Sequence, residues 1–510
     1  MSGFALAAVM SALCTGQLEE PYYWEPWPWD GPADTWNWRP IPGSRQAVPG
    51  ERGPLPKIRT IEKRPAAPPT PGKFYGPGTA VRQDISTLAA DSPTLQSYRK
   101  AIAAMKALPP TDPHNWTFQA NIHGFPPESN PDPNWGHCQH GNWWFLPWHR
   151  AYLHYFERIA RKYAEDPSFA LPYWDYSNPQ ARTLPAAFRD QSSALYDSTR
   201  RLLVNNGIDR LNEALVIDNF NRAMASTVFA DSGNVTTFGG QLLSAPQHLG
   251  SPHGALEAPH DLVHGFVGGN MGDVNTAPRD PIFYLHHANV DRLWVAWLQM
   301  GQGRANPSND VWLNQQFTFY DENKEKVTIP MRQVQEIAAL GYSYDRTPAP
   351  PQVPTTPASQ TQVQTIAAWQ TQGIPLLNTP ATMALTIPDL STFKTRKAER
   401  RLHLQVSEFK FAGLPDSTVE VYVNLPPRTP IPGPKSPYCA GCFTFFDHDH
   451  DGKGLVSRVE VTQHLQKLLE AAPAGPRQIT VTLVRVSPGV VPQSYLYPCT
   501  FNLLTLSATK

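Results

Sequence analysis

His260 and His264 stand four residues apart in the segment EAPHDLVHGFVGG, and that spacing constrains the chain more than any other feature. On a helix, residues i and i+4 project from one face, so both imidazoles reach toward one point. His287 opens a second helical stretch, within DPIFYLHHANVDRLW, and brings a third imidazole. A second trio lies upstream. His149 sits near the start of a helix beginning at Pro147, His140 lies just before it, and His123 belongs to the preceding loop. With 16 histidines in 510 residues, chance alone gives about half an H-x-x-x-H pair, so the pair by itself says little. Two trios in helical contexts, each followed on its helix by an arginine and an acid, say much more. Three neutral imidazoles with open positions suit copper, zinc or iron, and the residues alone leave that choice open.

Composition narrows the classes. Hydrophobic residues make up 41%, enough for a sizeable core and against wholesale disorder. Lys+Arg and Asp+Glu are both 43, so the electrostatic footprint of a nucleic-acid binder is missing. No run of 18 apolar residues exists, so no membrane partner is expected. The five cysteines (14, 138, 439, 442 and 499) are too few and too oddly placed for a disulfide scaffold. Phe4–Leu13 is apolar but lacks a basic n-region and an A-x-A-like cleavage site, so the expectation is cytoplasmic, with secretion the weaker alternative.

Four segments follow along the chain. Residues 1–75 form an arm in which Tyr22, Tyr23, Trp24, Trp27, Trp29, Trp36 and Trp38 alternate with Pro, Asp and Gly, which forbids regular helix or central strand. So many aromatics call for cover. The simple reading straps the arm over its own globule; the alternative lays it over a neighbour and makes a homo-oligomer. Residues 76–346 are globular and largely helical, with helices expected over 95–108, 147–165, 260–267 and 282–300 and a weaker one over 209–229. Residues 347–395 are a Pro/Thr/Gln-rich linker. Residues 396–510 carry alternating β-rich runs such as HLQVSEFKFAG and RQITVTLVRV. The predicted fold class is mainly α, a four-helix-bundle core followed by a small all-β sandwich- or barrel-like domain.

The two histidine segments are similar to signatures of the tyrosinase/polyphenol oxidase family, the type-3 copper proteins. His140, then Phe145, Trp148-His149-Arg150, Leu153 and Glu157 match the first. Asp280-Pro281, Phe283, Tyr284, His287 and Asp291 match the second, and Leu171–Asp175 (LPYWD) is also typical. The resemblance implies a dicopper centre with dioxygen as co-substrate and small phenols as partners. It implies copper A on His123, His140 and His149, and copper B on His260, His264 and His287. His137, His154, His253 and His286 then fall outside the ligand set, and His114 is the rival to His123. On a helix His286 should point about 100° away from His287.

The resemblance also suggests roles around the coppers. Cys138 with His140 would form a thioether that locks the ring; the plain alternative is a buried thiol. Glu257 would sit near a water beside the coppers and help take a phenolic proton. Asp261 follows the first copper B histidine and either acts as a base or repels acidic substrates. Val274 is a small gate residue over copper B, leaving room for a phenol. Asp291 would orient a ligand ring or pair with Arg150 or Arg292. In the tail, Tyr438, Phe443, Phe445 and Phe446 are candidates for a lid plug, or simply core aromatics of a strand. Cys439-x-x-Cys442 could relay cuprous ion. DHDHDGKG, Asp447–Gly454, starts like a calcium loop but has Arg458 where the last ligand belongs, so it reads as a turn. The implied activity is ortho-hydroxylation of monophenols and oxidation of o-diphenols to o-quinones, latent until the tail is displaced. The rivals are a catechol oxidase without monophenolase activity, an o-aminophenol oxidase and a haemocyanin-like oxygen carrier; the single copy of the unit weighs against the carrier.

Overall fold

The computed structural model describes residues 80–126, 131–231, 237–246, 254–347, 363–376, 379–387, 401–411, 417–446, 454–465, 477–490 and 499–509. The aromatic arm, His253 and the Asp447 turn therefore lie outside the described residues. The helices are α1 (Pro93–Lys106), α2 (Trp116–Asn121), α3 (Phe145–Ala164), α4 (Leu202–Asn205), α5 (Asp218–Ala225), α6 (Glu257–Val267), α7 (Ile282–Gln299) and α8 (Asp310–Asn314). Six short strands frame them: β1 (Ala80–Arg82), β2 (Ala230–Asp231), β3 (Gly240–Gln241), β4 (Gln316–Tyr320), β5 (Lys326–Pro330) and β6 (Tyr342–Tyr344). Eight more follow: β7 (Val363–Leu376), β8 (Ala381–Ile387), β9 (Arg401–Phe411), β10 (Thr418–Val423), β11 (Cys439–Phe443), β12 (Leu455–Glu460), β13 (Arg477–Val486) and β14 (Cys499–Thr509).

Helix boundaries follow local chemistry. Ser92 caps α1, accepting from the Leu95 N–H, and Pro93 pre-sets the first turn. Asp280 accepts from the Ile282 N–H at the start of α7. Helix α3 packs against α1 and α7, and its lining residues, among them Trp148, Leu153 and Phe156, are fully buried. The helix expected over 209–229 is shorter, a π-helical turn at Glu213–Ile217 leading into α5.

A buried ionic knot ties the start of the described chain to these helices. Arg82 on β1 pairs with Glu157 of α3 and Asp291 of α7, and Arg161 also bonds Glu157. Burial alone would raise Glu157 and Asp291, but the arginines outweigh it and hold both carboxyls below their ordinary values. Because β1 pairs in parallel with β6, the same knot closes the helical part of the chain.

The tail is a sandwich of two four-stranded antiparallel sheets, ordered β11-β10-β13-β8 and β12-β9-β14-β7. Their inner faces share one apolar core, including Leu404, Val421, Ile479 and Leu504. Two corrections to the sequence reading follow. Strands β7 and β8 occupy much of the stretch assigned to the linker 347–395. The chain is also mixed helix and sheet rather than mainly α, because the described residues of the tail alone supply eight strands.

The tail also leans on the helices. Strand β10 is buried at all six positions, one face in the sandwich and the other covered. Phe446 belongs to the core of the helical part, not to that of the sandwich. Further along, residues 487–490 pair with 209–212 like a short antiparallel bridge. The Asn212 N–H donates to Pro488 O at 3.0 Å, and the Val490 N–H donates to Arg210 O at 3.0 Å.

Candidate metal centre

Helix α6 places His260 and His264 one turn apart, and α7 brings His287 beside them. Their Nε2 atoms form a triangle: 3.0 Å between His264 and His260, 3.2 Å between His260 and His287, 3.4 Å between His264 and His287. A metal bonded at about 2.0–2.1 Å to imidazole nitrogens in tetrahedral directions holds them about 3.3 Å apart. The opposite wall comes from α3 and the loops before it. The ring centroids of His123, His140 and His149 lie 5.3–5.4 Å apart, and His123 Nε2 is 3.4 Å from His140 Nε2. The triplets face one another, with His149 stacked on His287 at 4.4 Å.

The other ring nitrogens orient five of these six rings. His123 Nδ1 lies 3.0 Å from Val274 O, His149 Nδ1 2.8 Å from Phe145 O, and His264 Nδ1 2.7 Å from Met271 O. His140 Nδ1 and His260 Nδ1 each lie 3.1 Å from a carboxylate, of Glu257 and Asp261 respectively. An Nδ1–H given to each acceptor leaves the Nε2 lone pair aimed inward, as metal-ligating imidazoles require. His287 Nδ1 is buried without a hydrogen-bond partner. Burial first, then the neighbouring imidazoles, holds His260, His264 and His287 well below the ordinary histidine range. These three donors are thus neutral nitrogen, and the two triplets fit a pair of metal ions.

Acid should therefore loosen the metal-free fold. Seven histidines (114, 154, 260, 264, 286, 287 and 464) have lowered values, while the carboxyls of Asp280 and Glu420 are raised and act the opposite way. Below about pH 6.5 the unfolded chain binds protons that the folded histidines refuse, so stability falls as pH falls, by up to about 1.4 kcal/mol per pH unit for each of His154, His260, His264, His286 and His287 and by less for the more solvated His114 and His464. Thermal melting of the metal-free protein at pH 7.5, 6.5 and 5.5 should show a falling midpoint below 6.5; a flat profile would contradict this burial.

His286 and the imidazole role of Asp291 differ from expectation. His286 is not turned away: its ligand nitrogen lies within 4.8 Å of those of His260, His264 and His287. Its ring stacks on His260 at 5.0 Å, its Nδ1 faces the Tyr176 hydroxyl at 3.2 Å, and burial pushes it down to about 3. A helical angle of about 100° is small enough to keep a neighbouring ring in the same cluster when α6 packs alongside. Asp291 orients no imidazole; it takes Arg150 Nε at 2.5 Å and the Tyr342 and Tyr344 hydroxyls at 2.6 Å each. Arg292 pairs instead with Asp175. His114 bridges Tyr163 and the Asp321 carbonyl, and exposed His137 bonds Pro133 O. His154 is buried on α3 with its ring against Tyr155.

The remaining site candidates divide. Cys138 is fully buried, its sulfur within 4.8 Å of ligand atoms of His123 and His140. Val274 is buried, and its backbone oxygen accepts from His123 Nδ1. Glu257 has both oxygens engaged, by His140 Nδ1 and the Gly141 N–H. Asp261 takes the Thr444 hydroxyl of the tail at 2.9 Å. Among the four plug candidates, Phe446 reaches the centre: its ring stacks on His264 at 3.8 Å and 19°. Phe445 stacks on Phe409 and Phe443 lies in the sandwich core, while half-buried Tyr438 stands before β11. Cys439 and Cys442 face Tyr422 and Glu420 across the β10–β11 pair. Burial pushes their thiols up to about 11 and about 12, and among the described residues no trio of metal-type side chains includes them. The Thr444 contact escaped the sequence reading; no spacing rule announces a bond between residues 183 positions apart.

A helical core presenting two facing histidine triplets under a β-sandwich defines a dinuclear metalloprotein with a covered site. Comparison with known proteins gives the family. Residues 113–212 and 193–300 match the common central domain of tyrosinase, and 306–354 match the polyphenol oxidase middle domain. The chain is 37% identical to a tyrosinase of Hahella sp. (strain CCB-MM4), over 54% of this chain and 65% of that one. It is 30% identical to (+)-larreatricin hydroxylase of Larrea tridentata, over 82% of this chain and 78% of that one. The structure of latent apple tyrosinase superposes with a TM-score of 0.61 at 26% identity, covering 86% of this chain and 99% of that one. The chain belongs to the tyrosinase and polyphenol oxidase family, a type-3 dicopper family, and its histidine clusters fit a copper site. It spans 65% of the Hahella tyrosinase and 46% of a polyphenol oxidase of Vicia faba.

Proposed function

We propose that this chain is a latent tyrosinase that hydroxylates small monophenols at the ortho position and oxidises o-diphenols to o-quinones with dioxygen. Phe446 on His264 is the observation that carries the proposal, because an aromatic ring already occupies the place a phenol would take. Two copper ions, one on His123, His140 and His149 and one on His260, His264 and His287, would supply dioxygen binding and the electron transfer.

The chain's own residues do the rest. Phe145 and Phe283 wall the six imidazoles and keep water from the reacting groups. The open face of His264 receives the substrate ring once Phe446 leaves. Asp261 accepts the Thr444 hydroxyl in the closed chain, so in the open chain the same carboxylate oxygen is placed to accept a substrate hydroxyl. A Cys138–His140 thioether would fix the His140 ring further; the intact chain would then weigh two hydrogens less than its sequence. Val274, small and close to His123, leaves a monophenol room to enter.

Phe446→Ala tests the lid. The uncut variant should oxidise catechol and tyramine about tenfold faster than the uncut native chain, because the lost burial of one aromatic side chain, of the order of 1.5–3 kcal/mol, favours opening. Unchanged rates would contradict a plug at this position. Oxidation of catechol without tyramine by the copper-loaded, opened chain would make it a catechol oxidase instead.

A further inference from the structure

We infer that Glu257 is a positioning residue for His140, a strut by which the helix of one histidine triplet holds a ring of the other. The inference rests on the copper reading given above. Glu257 is the first residue of α6, which carries His260 and His264. Its carboxylate crosses to the opposite triplet. Oε1 lies 3.1 Å from His140 Nδ1, and the Gly141 N–H donates to Oε1 at 2.9 Å and to Oε2 at 3.0 Å. Both side chains are buried, 2% and 3% exposed, so this contact is shielded from water.

His140 needs such a strut more than its neighbours do. His149 is held in α3, and its Nδ1 faces a carbonyl one turn back. His123 faces the Val274 carbonyl. His140 instead precedes α3 in a stretch outside any helix or strand, followed by Gly141 at φ 70°. The left-handed turn at Gly141 offers its N–H to the same carboxylate that faces His140. One group therefore fixes both the backbone and the ring. A carboxylate on Nδ1 sets the tautomer and raises the donor strength of Nε2.

The two acids of the cleft then have different tasks. Glu257 has both oxygens on His140 and Gly141, whereas Asp261 holds His260 Nδ1 through Oδ1 at 3.1 Å and takes on Oδ2 a tail hydroxyl that leaves when the lid opens. The acid expected from the sequence to receive a substrate proton is the strut, and the receiving role falls to Asp261.

Cupric ion titrated into the full chain against a competing chelator tests this, with copper per chain read by atomic absorption and melting of the metal-free protein as the control for folding. The native chain should bind two ions. Glu257→Ala should hold one ion as tightly as the native chain and the other about 10–100-fold more weakly. Glu257→Gln, whose amide oxygen can accept the same Nδ1 proton, should restore most of the loss. In a His140→Ala background, Glu257→Ala should add nothing further. Native affinity for both ions in Glu257→Ala, or equal weakening of both, would overturn the strut. A native chain that binds no copper would overturn the copper reading, and the strut with it.

Discussion

A Gly489→Val chain is expected to be active without proteolysis. Residues 487–490 fasten the sandwich to the helical part by two backbone hydrogen bonds to the 209–212 segment, and Arg201 adds a bond to the Ser487 hydroxyl at 3.3 Å. A side chain on residue 489 would overlap the Asp209 carboxylate, so the two must move apart at the centre of the fastening. Beside it, Pro488 lies 3.9 Å from where a Cβ would stand on Gly265, the residue after His264. The clamp thus borders the cleft without entering it. Losing two backbone bonds costs the closed form about 2 kcal/mol, roughly a thirtyfold shift toward the open form. Uncut Gly489→Val should therefore oxidise catechol many times faster than the uncut native chain. After removal of the tail the two should be equal. An uncut variant as slow as the native chain would show that the clamp does not hold the lid.

The second large effect separates two adjacent histidines. His287→Ala should lose one copper and about a thousandfold in rate, about 4 kcal/mol of barrier, because its Nε2 completes the triangle with His260 and His264. His286→Ala should keep both coppers and lose about tenfold or less, since its Nδ1 serves the Tyr176 hydroxyl and its ring packs beside His260 and His264. Copper content and catechol oxidation of both variants decide the matter. The reverse order of losses would put His286 in the ligand set.

The His260–His264 pair was legible because i, i+4 spacing is local, and the resemblance of the two histidine segments to the family's signatures supplied His123, His140, His149 and His287. The burial of His286 beside them was not, since it depends on how α6 and α7 pack rather than on the residues of either. Strands β7 and β8 hid in a Pro/Thr/Gln-rich stretch whose composition reads as linker, yet β14 and β13 supply the pairing that makes them strands. Of the two readings of Asp291, the pair with Arg150 holds and the imidazole partner does not; Arg82, distant in sequence, is the partner that spacing did not announce. Of four tail aromatics, strand alternation could not choose; Phe445 and Phe446 both follow the end of β11, but Phe445 packs on Phe409 in the sandwich and Phe446 on His264.

The measurement closest to the central claim is a crystal structure of the copper-loaded chain. Two ions should appear, one bound by His123, His140 and His149 and the other by His260, His264 and His287, with Phe446 lying over His264. A single ion, or two ions held by other side chains, would contradict the account.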